Sequence, residues 1–268
     1  MRRLDGVDLV VAGPPCQGHS DLNNHTRRAD PRNALFLQVA RFVELTKPGA
    51  VVIENVPGVA RDRSGVLQTA MRHLEGLGYF VTAEVLTATD FGAPQRRRRH
   101  MTVARLDRPV PMDLITSSLL APSTTVDDVI GDLAPLYGHG TFDTSARHSA
   151  ENRRRIAYLF DHDLYNLPDS ERPDCHRLRV HSYKSVYGRM AGDEPAPTIT
   201  SGFGSTGQGR FVHPHLPRTL TPHEAARLQG FPDWFSFDEC DGRRALQEMI
   251  GNAVPAQLGY AATMAALA

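Results

Sequence analysis

Val7-Asp8-Leu9-Val10-Val11-Ala12-Gly13-Pro14-Pro15-Cys16-Gln17-Gly18-His19-Ser20 is an apolar run that breaks into a proline-stiffened loop carrying a cysteine. Five apolar residues between Val7 and Ala12 predict a buried strand, and Gly13-Pro14-Pro15 must end it because proline supplies no ladder donor. Cys16 therefore stands at the carboxyl end of a strand, where open α/β sheets place their chemistry. Most free cysteines are small buried hydrophobes. Here two prolines fix φ in front of the thiol and Gln, Gly, His and Ser follow it, which describes a polar, bent loop rather than a core position. On this stretch alone a buried thiol and a reactive one both stay open.

Outward from that loop, the stretch from Asp21 to Arg32 is too hydrophilic for a core. Asn33 can cap a helix whose apolar residues Leu35, Phe36, Val39, Phe42 and Val43 recur at helical spacing until Lys47-Pro48 stops it. Ala50-Val51-Val52-Ile53 is a second short strand and ends in Glu54-Asn55-Val56-Pro57-Gly58. Strand, helix and strand make the βαβ pattern of a parallel sheet, and its right-handed crossover brings Cys16 and Glu54 to one edge. Ser64 opens a further helix, with Val66, Leu67, Ala70, Met71, Leu74 and Leu77 on one face. An extended segment then runs from Phe80 to about Ala88, and His100 to Leu106 returns as its hairpin partner. Between them lies Gln95-Arg96-Arg97-Arg98-Arg99. Four adjacent arginines are usually a solvated run, but on a strand alternation sends Arg97 and Arg99 to one face and Arg96 and Arg98 to the other.

From about Asp107 the pattern loses its period and prolines, histidines and arginines take over. Helix starts are legible at the capping box Thr125-Val126-Asp127-Asp128, at Ser149, and at Thr221-Pro222-His223-Glu224, where proline suits the first turn. Gly202-Phe203-Gly204-Ser205-Thr206-Gly207 spells a dinucleotide fingerprint, but Gln208-Gly209-Arg210-Phe211 follows where a helix should begin, so it reads as a flexible loop. Arg244 to Ile250 and Pro255 to Leu267 read as helical. Lys plus Arg equals Asp plus Glu at 30 each, so no global basic field exists and nucleic-acid binding must come from local patches. Three cysteines without a Cys-x-x-Cys pair suggest neither a metal site nor a disulfide framework, and a reducing cytoplasm is the natural compartment. No apolar run is long enough to predict a membrane span or a signal peptide.

The blocks Gly13 to Ser20, Glu54-Asn55-Val56, Gln95 to Arg99, Leu220-Thr221 with Glu224 to Pro232, and Gly251-Asn252-Ala253-Val254-Pro255, in that order, resemble the DNA cytosine-5 methyltransferases. The resemblance covers most of the chain. It implies an α/β fold with a Rossmann-like methyltransferase sheet, S-adenosyl-L-methionine as methyl donor and double-stranded DNA as substrate, with no metal and no membrane. It divides the chain into a catalytic core at 1–106, a small irregular target-recognition region at 107–197, and a return to the core with closing helices at 198–268. Arg153 to Arg155 and Arg189 are then expected to divide into phosphate and base contacts.

The chemistry accounts for the residue types. Carbon 5 of cytosine is too weak a nucleophile to take a methyl group, but a thiolate added at carbon 6 turns the ring into an enamine whose carbon 5 is strong enough. Cys16 is the expected nucleophile, its thiolate fraction raised by the field of Arg97 or Arg99. The charge entering the ring is relieved at nitrogen 3 by a buried carboxylic acid, the expected role of Glu54. By resemblance, Arg99 holds the carbonyl oxygen of the base, Arg97 organises the pocket beside Cys16, and Gln95 supports that turn. Gln17, Ser20 and the polar stretch after them would close on the DNA once the base is flipped out of the stack. Gly13, Pro15, Asn252 and Ala253 are the expected contacts to the methyl donor.

Two departures from the family pattern stand out. His19 occupies a position where many members carry Phe. Members also carry, upstream of the Cys16 block, a Phe-x-Gly-x-Gly strand–turn–helix and an acidic residue for the donor's ribose, and the six residues before Val7 leave no room for either. The expectation is an N-terminally truncated sheet whose Val7 strand has an uncovered edge, which proteins normally cover, with the missing turn either lost as an N-terminal piece or supplied by an N-terminal complementing polypeptide. Two alternatives remain open: a non-catalytic DNA-binding remnant or split-enzyme subunit, and an RNA cytosine-5 methyltransferase.

Overall fold

The computed structural model describes residues 6–15, 31–62, 64–178 and 185–268. The chain divides into two compact units, Met1–Phe91 with Arg98–Ala121 and Gln257–Ala268, and Gly92–Arg97 with Pro122–Ala256.

In the first unit, strand β1 (Leu9–Ala12) and strand β2 (Ala50–Asn55) pair in parallel from Leu9↔Ala50 to Ala12↔Ile53, as the strand–helix–strand pattern predicts. Helix α1 (Phe36–Thr46) lies between them in the chain and stops where Lys47 turns left-handed at φ 45°, its N–H bonded to the Val43 carbonyl at 2.7 Å. Helix α2 (Val66–Gly76) starts differently from the sequence expectation. Gly65, left-handed at φ 66°, directly precedes it, and the Asp62 carboxylate accepts both the Ser64 hydroxyl and, at 3.5 Å, the Val66 N–H. Ser64 is thus a partner of the capping acid rather than the cap.

Strands β3 (Phe80–Thr87) and β4 (Arg98–Arg105) form the expected antiparallel pair, and β4 is also antiparallel to β2, giving the order β1-β2-β4-β3. The sheet is therefore mixed. α1 and α2 cover one face, where Phe36, Ala40, Val43, Leu67, Ala70 and Leu74 pack with Val51, Ile53 and Ala104. Burying each large side chain there contributes about 1.5–3 kcal/mol. Among the described residues β1 pairs only with β2, and its Val11 is 65% exposed. Helix α3 (Met112–Ser118) has no counterpart in the sequence reading, because its Thr116 and Ser118 hydroxyls bond back to the Met112 and Ile115 carbonyls and it is too short to show a period.

The second unit carries α4 (Val126–Ile130) and α5 (Ala150–Asp161), capped by Thr125 and Ser149 as predicted, then the one-turn α6 (Asp174–Arg177). It continues with α7 (Pro222–Gln229), started by the reciprocal Thr221/Glu224 capping box and ended by Gly230 at φ 91°, and α8 (Gly242–Asn252). Helix α9 (Ala256–Leu267) takes the chain back to the first unit. Val126, Ile130, Met190, Ile199, Phe203, Leu220, Leu228, Leu246 and Ile250 share one apolar cluster. The expected division at 197/198 thus falls inside a single core.

Gly202 to Gly207 is no flexible loop. Phe203 and Thr206 are 1% and 2% exposed. A Cβ added at Gly202, Gly204 or Gly209 would overlap Gln208, Gln247 or the Phe211 ring, so these glycines serve close packing.

Two predictions follow from packing and burial. A Cβ at Gly251 would overlap the Thr200–Ser201 backbone, whereas one at Gly76 meets nothing. Gly251→Ala should therefore cost about 1–3 kcal/mol in urea unfolding, while Gly76→Ala, at the end of α2, should be neutral or stabilise by up to about 1 kcal/mol. The second concerns His213, which burial holds down at about 4 against an ordinary 6.5. Its Nδ1 accepts the His215 and Leu216 N–H groups at 3.0 and 3.2 Å, which puts its single proton on Nε2. The unfolded chain takes up a proton near pH 6.5 and the folded one only near pH 4. The stability this group contributes is thus complete above 6.5 and is lost as pH falls toward 4, with a slope of at most about 1.4 kcal/mol per pH unit. Urea titrations between pH 7 and 4 should show a smaller loss for His213→Gln than for the parent chain.

Candidate functional site

In the first unit, the loop after β1 is tied to the end of β2 by a side chain. Asn55, 1% exposed, donates from Nδ2 to the Pro14 carbonyl at 3.3 Å and accepts the Val56 N–H on Oδ1 at 2.9 Å. One residue earlier, strand alternation turns Glu54 to the opposite face of the sheet. Glu54 is in register with Met101, so Arg99 is its diagonal neighbour on that face. Arg99 Nε lies 2.5 Å from Glu54 Oε1, with the two side chains only 12% and 17% exposed. The Nε–H has no hydrogen-bond partner, so this contact is an ion pair by proximity rather than an aligned hydrogen bond. Nη1 donates to the Arg98 carbonyl at 2.8 Å. A Cβ at Gly13 would come within 3.7 Å of Glu54 Oε2, so the Gly13 backbone runs alongside the same carboxylate. Gly13, Glu54 and Arg99 are brought together at the carboxyl ends of β1 and β2, and Pro15 continues that loop. Cys16, Gln17 and Ser20 lie outside the described residues.

Along the arginine run the exposure alternates: Arg96 and Arg98 are exposed, Arg97 is buried and Arg99 is intermediate. The chain passes from the second unit to the first between Arg97 and Arg98, so Arg97 and Arg99 belong to different units. Arg97 is 2% exposed and donates from Nη1 to the Ile199 carbonyl at 2.7 Å and from Nη2 to the Gly251 carbonyl at 3.2 Å. Gln95 has no exposed surface. Its Nε2 donates to the Leu228 carbonyl at 2.8 Å and to Gln229 Oε1, and its Oε1 accepts the Ile199 N–H at 3.2 Å. Its amide is thus spent on protein groups.

Asn252 is exposed and Ala253 half-buried at the end of α8. Each taken in its own unit, Gly13 with Pro15 and Asn252 with Ala253 offer backbone, amide or methyl groups and no basic side chain, which fits contact with a methyl donor that carries no phosphate.

Sequence reasoning placed Gln229 in the Glu224 to Pro232 block but assigned it no role, since a single amide at the end of a helix does not announce the partners it is buried against. It missed the pairing of Glu224 with Arg218 through Nη1···Oε2 at 2.8 Å and Nη2···Oε1 at 2.6 Å, with both groups buried. Two of the arginines expected at DNA are committed inside the unit. Arg189 stacks over Phe160 at 4.4 Å and bonds Pro214 O and Asp163, and Arg155 bonds Glu171 O and Asn152. They make a framework, and Arg153 and Arg154 are the pair of that group on the surface. Among the described residues no cluster of three His, Cys, Asp or Glu could hold a metal, and no helix is long and apolar enough to cross a membrane.

Comparison with known proteins places this geometry in context. A family model described as C-5 cytosine-specific DNA methylase matches residues 2–266. The Type II methyltransferase M1.BsuMI of Bacillus subtilis is 53% identical over 258 residues, which are 96% of this chain and 60% of that protein. The Type II methylase M.HgiDII of Herpetosiphon aurantiacus is 34% identical, over 94% of this chain and 73% of that protein. The chain thus spans less than two thirds of the first relative's length. Among solved structures, Entamoeba histolytica methyltransferase EhMeth shares the fold with a TM-score of 0.61 at 17% identity, covering 97% of this chain and 76% of that one. S. pombe Dnmt2 methyltransferase matches at a TM-score of 0.54 and 19% identity, over 96% and 77%.

The Glu54–Arg99 contact is testable without any substrate. In a double-mutant cycle of Glu54→Gln and Arg99→Met, urea unfolding should return a favourable coupling of about 1–3 kcal/mol, because each single change strands a partly buried charge. Additive effects would mean that the two groups do not interact.

Proposed function

Because the chain belongs to the C-5 cytosine-specific DNA methylase family, we propose that it carries the catalytic residues of a DNA (cytosine-5-)-methyltransferase acting on double-stranded DNA. The observation that carries this reading is the Glu54 carboxylate, paired with Arg99 and flanked by the Gly13 backbone at the carboxyl ends of two parallel strands. A cytosine flipped out of the duplex offers such a pair its nitrogen 3 and its carbonyl oxygen. The Cys16 thiolate adds to carbon 6, and the electron pair of the carbon 5–carbon 6 double bond moves into the ring. Glu54, in its acid form, delivers its proton to nitrogen 3, and the Arg99 guanidinium holds the carbonyl oxygen, leaving carbon 5 as the nucleophilic end of an enamine. S-adenosylmethionine, when bound, supplies the electrophilic methyl group. Loss of the carbon 5 proton to water then re-forms the carbon 5–carbon 6 double bond and expels Cys16 as thiolate, and nitrogen 3 returns its proton to Glu54.

Arg97 and Gln95 act by position, since both Nη groups of Arg97 and the whole amide of Gln95 are engaged by protein groups. Gln17 and Ser20 close on the DNA, and Gly13, Pro15, Asn252 and Ala253 contact the donor. Recognition of the DNA sequence falls to residues 107–197, with Arg153 and Arg154, exposed and bonded to the His148 carbonyl and to Glu171, exchanging those surface partners for phosphates or base edges. Among the described residues β1 pairs only with β2 and its Val11 is exposed, an edge that suits a further strand bearing the donor's glycine-rich turn from a complementing polypeptide. The relatives named Type II methyltransferases suggest a modification methylase of a restriction-modification system. A reducing cytoplasm suits a thiolate nucleophile.

Thiolate addition alone makes carbon 5 exchangeable, so the reading can be tested without any donor. Genomic duplex DNA tritiated at cytosine carbon 5 should lose tritium to water when incubated with the chain. Cys16→Ala should abolish the release, and Glu54→Gln should slow it by about a hundredfold or more. Release by Cys16→Ala at the parent rate would overturn the assignment of the nucleophile. Tight DNA binding by the parent chain with no release would favour the non-catalytic remnant.

A further inference from the structure

We infer that Gln229 is a positioning residue of the methyl-transfer site, fixing the backbone at 250–253 against the segment 95–97. The inference rests on the proposed function for what those two segments do, while the juxtaposition itself is structural. Gln229 is the last residue of α7 and is 1% exposed. Its Oε1 accepts from Gln95 Nε2, and its own Nε2 donates to the Ile250 carbonyl at 2.8 Å and the Ala253 carbonyl at 2.6 Å. The last carbonyls of a helix have no partner within it, and α8 ends at Asn252. Gln229 takes one of these, Ile250 O, and Arg97 takes another, Gly251 O, at 3.2 Å. The end of α8 is therefore capped by two side chains, and the segment bearing one of them is bonded to the other through Gln95.

The third side of this arrangement is the backbone at 199–201. Ile199 gives its N–H to Gln95 and its carbonyl to Arg97, and Gly251 sits too close to Thr200 and Ser201 to hold a Cβ. Asn252 and Ala253, the proposed donor contacts, emerge directly from this lock. A methionine would fill the volume of Gln229 without setting any direction. A buried amide is tolerated only when its hydrogen bonds are met, and once met they select one arrangement of the groups around it. The amide thus points to a role in orientation beyond packing.

The test uses the full chain with Gln229→Met and Gln229→Glu. Glutamate keeps an acceptor toward Gln95 but loses both donors, so if the donors matter the two variants should behave alike. Hydrogen exchange followed by mass spectrometry should rise about tenfold in peptides covering 95–97 and 250–254, with α5 unchanged. Donor-free release of tritium from cytosine carbon 5 should slow about fivefold or more in both variants. Unchanged exchange at 250–254, or an equal rise in α5, would overturn the inference. So would unchanged tritium release beside faster exchange, since that marks a purely structural residue. Failure of the parent chain to release tritium would count against the proposed function instead, and the exchange experiment would still decide the role of Gln229.

Discussion

A buried segment without regular structure must find partners for its polar groups from elsewhere, and residues 92–97 meet that constraint through one amide. Gln95 is fully buried and bonds Leu228 O, Gln229 and Ile199 N, which brings the end of α7 and the chain at 199 onto the same short segment. Backbone bonds between Pro94, Arg96 and Ala196 run alongside it. Main-chain groups left unpaired at this depth would each cost about 1–3 kcal/mol, so the amide fixes where Arg97 enters the interior of its unit. Arg97 then finds the carbonyl end of α8, the negative pole of an eleven-residue helix. The helix-end dipole and two carbonyl acceptors face its guanidinium there.

The first unit solves a similar problem with a different partner. Because β4 runs antiparallel to β2 and in register with it, Arg99 falls diagonally across from Glu54, and the two charges share one partly buried face. Period-two alternation along Arg96 to Arg99 thus hides two arginines and exposes two. The hidden ones have opposite surroundings: dipoles around Arg97 and a full negative charge beside Arg99.

Much of this was legible in the sequence because it is local. The strand broken by Pro14-Pro15, the helix ended at Lys47-Pro48, the capping boxes at Thr125 and Thr221 and the arginine alternation all depend on neighbours within four residues. What stayed hidden depends on distant partners. Gln229 looks like a surface amide at the end of a helix until Gln95, 134 residues away, bonds to it. Arg189 looks like a DNA contact until Phe160, Pro214 and Asp163 close around it. The loop at Gly202 looks mobile because glycine marks both mobility and close packing, and only the neighbouring Gln208, Gln247 and Phe211 side chains tell the two apart. Family resemblance supplied the roles of the catalytic blocks, which spacing alone left open.

Most acceptors in the second unit's lock are main-chain carbonyls: those of Ile199, Leu228, Ile250, Gly251 and Ala253. A carbonyl is the same whatever side chain it carries, so the lock itself does not read the side chains at these positions. Ile199, Leu228 and Ile250 are held to apolar residues by the core they fill, and Gly251 to glycine because its side-chain space is already filled by backbone, which leaves the half-buried Ala253 as the position where the lock tolerates drift.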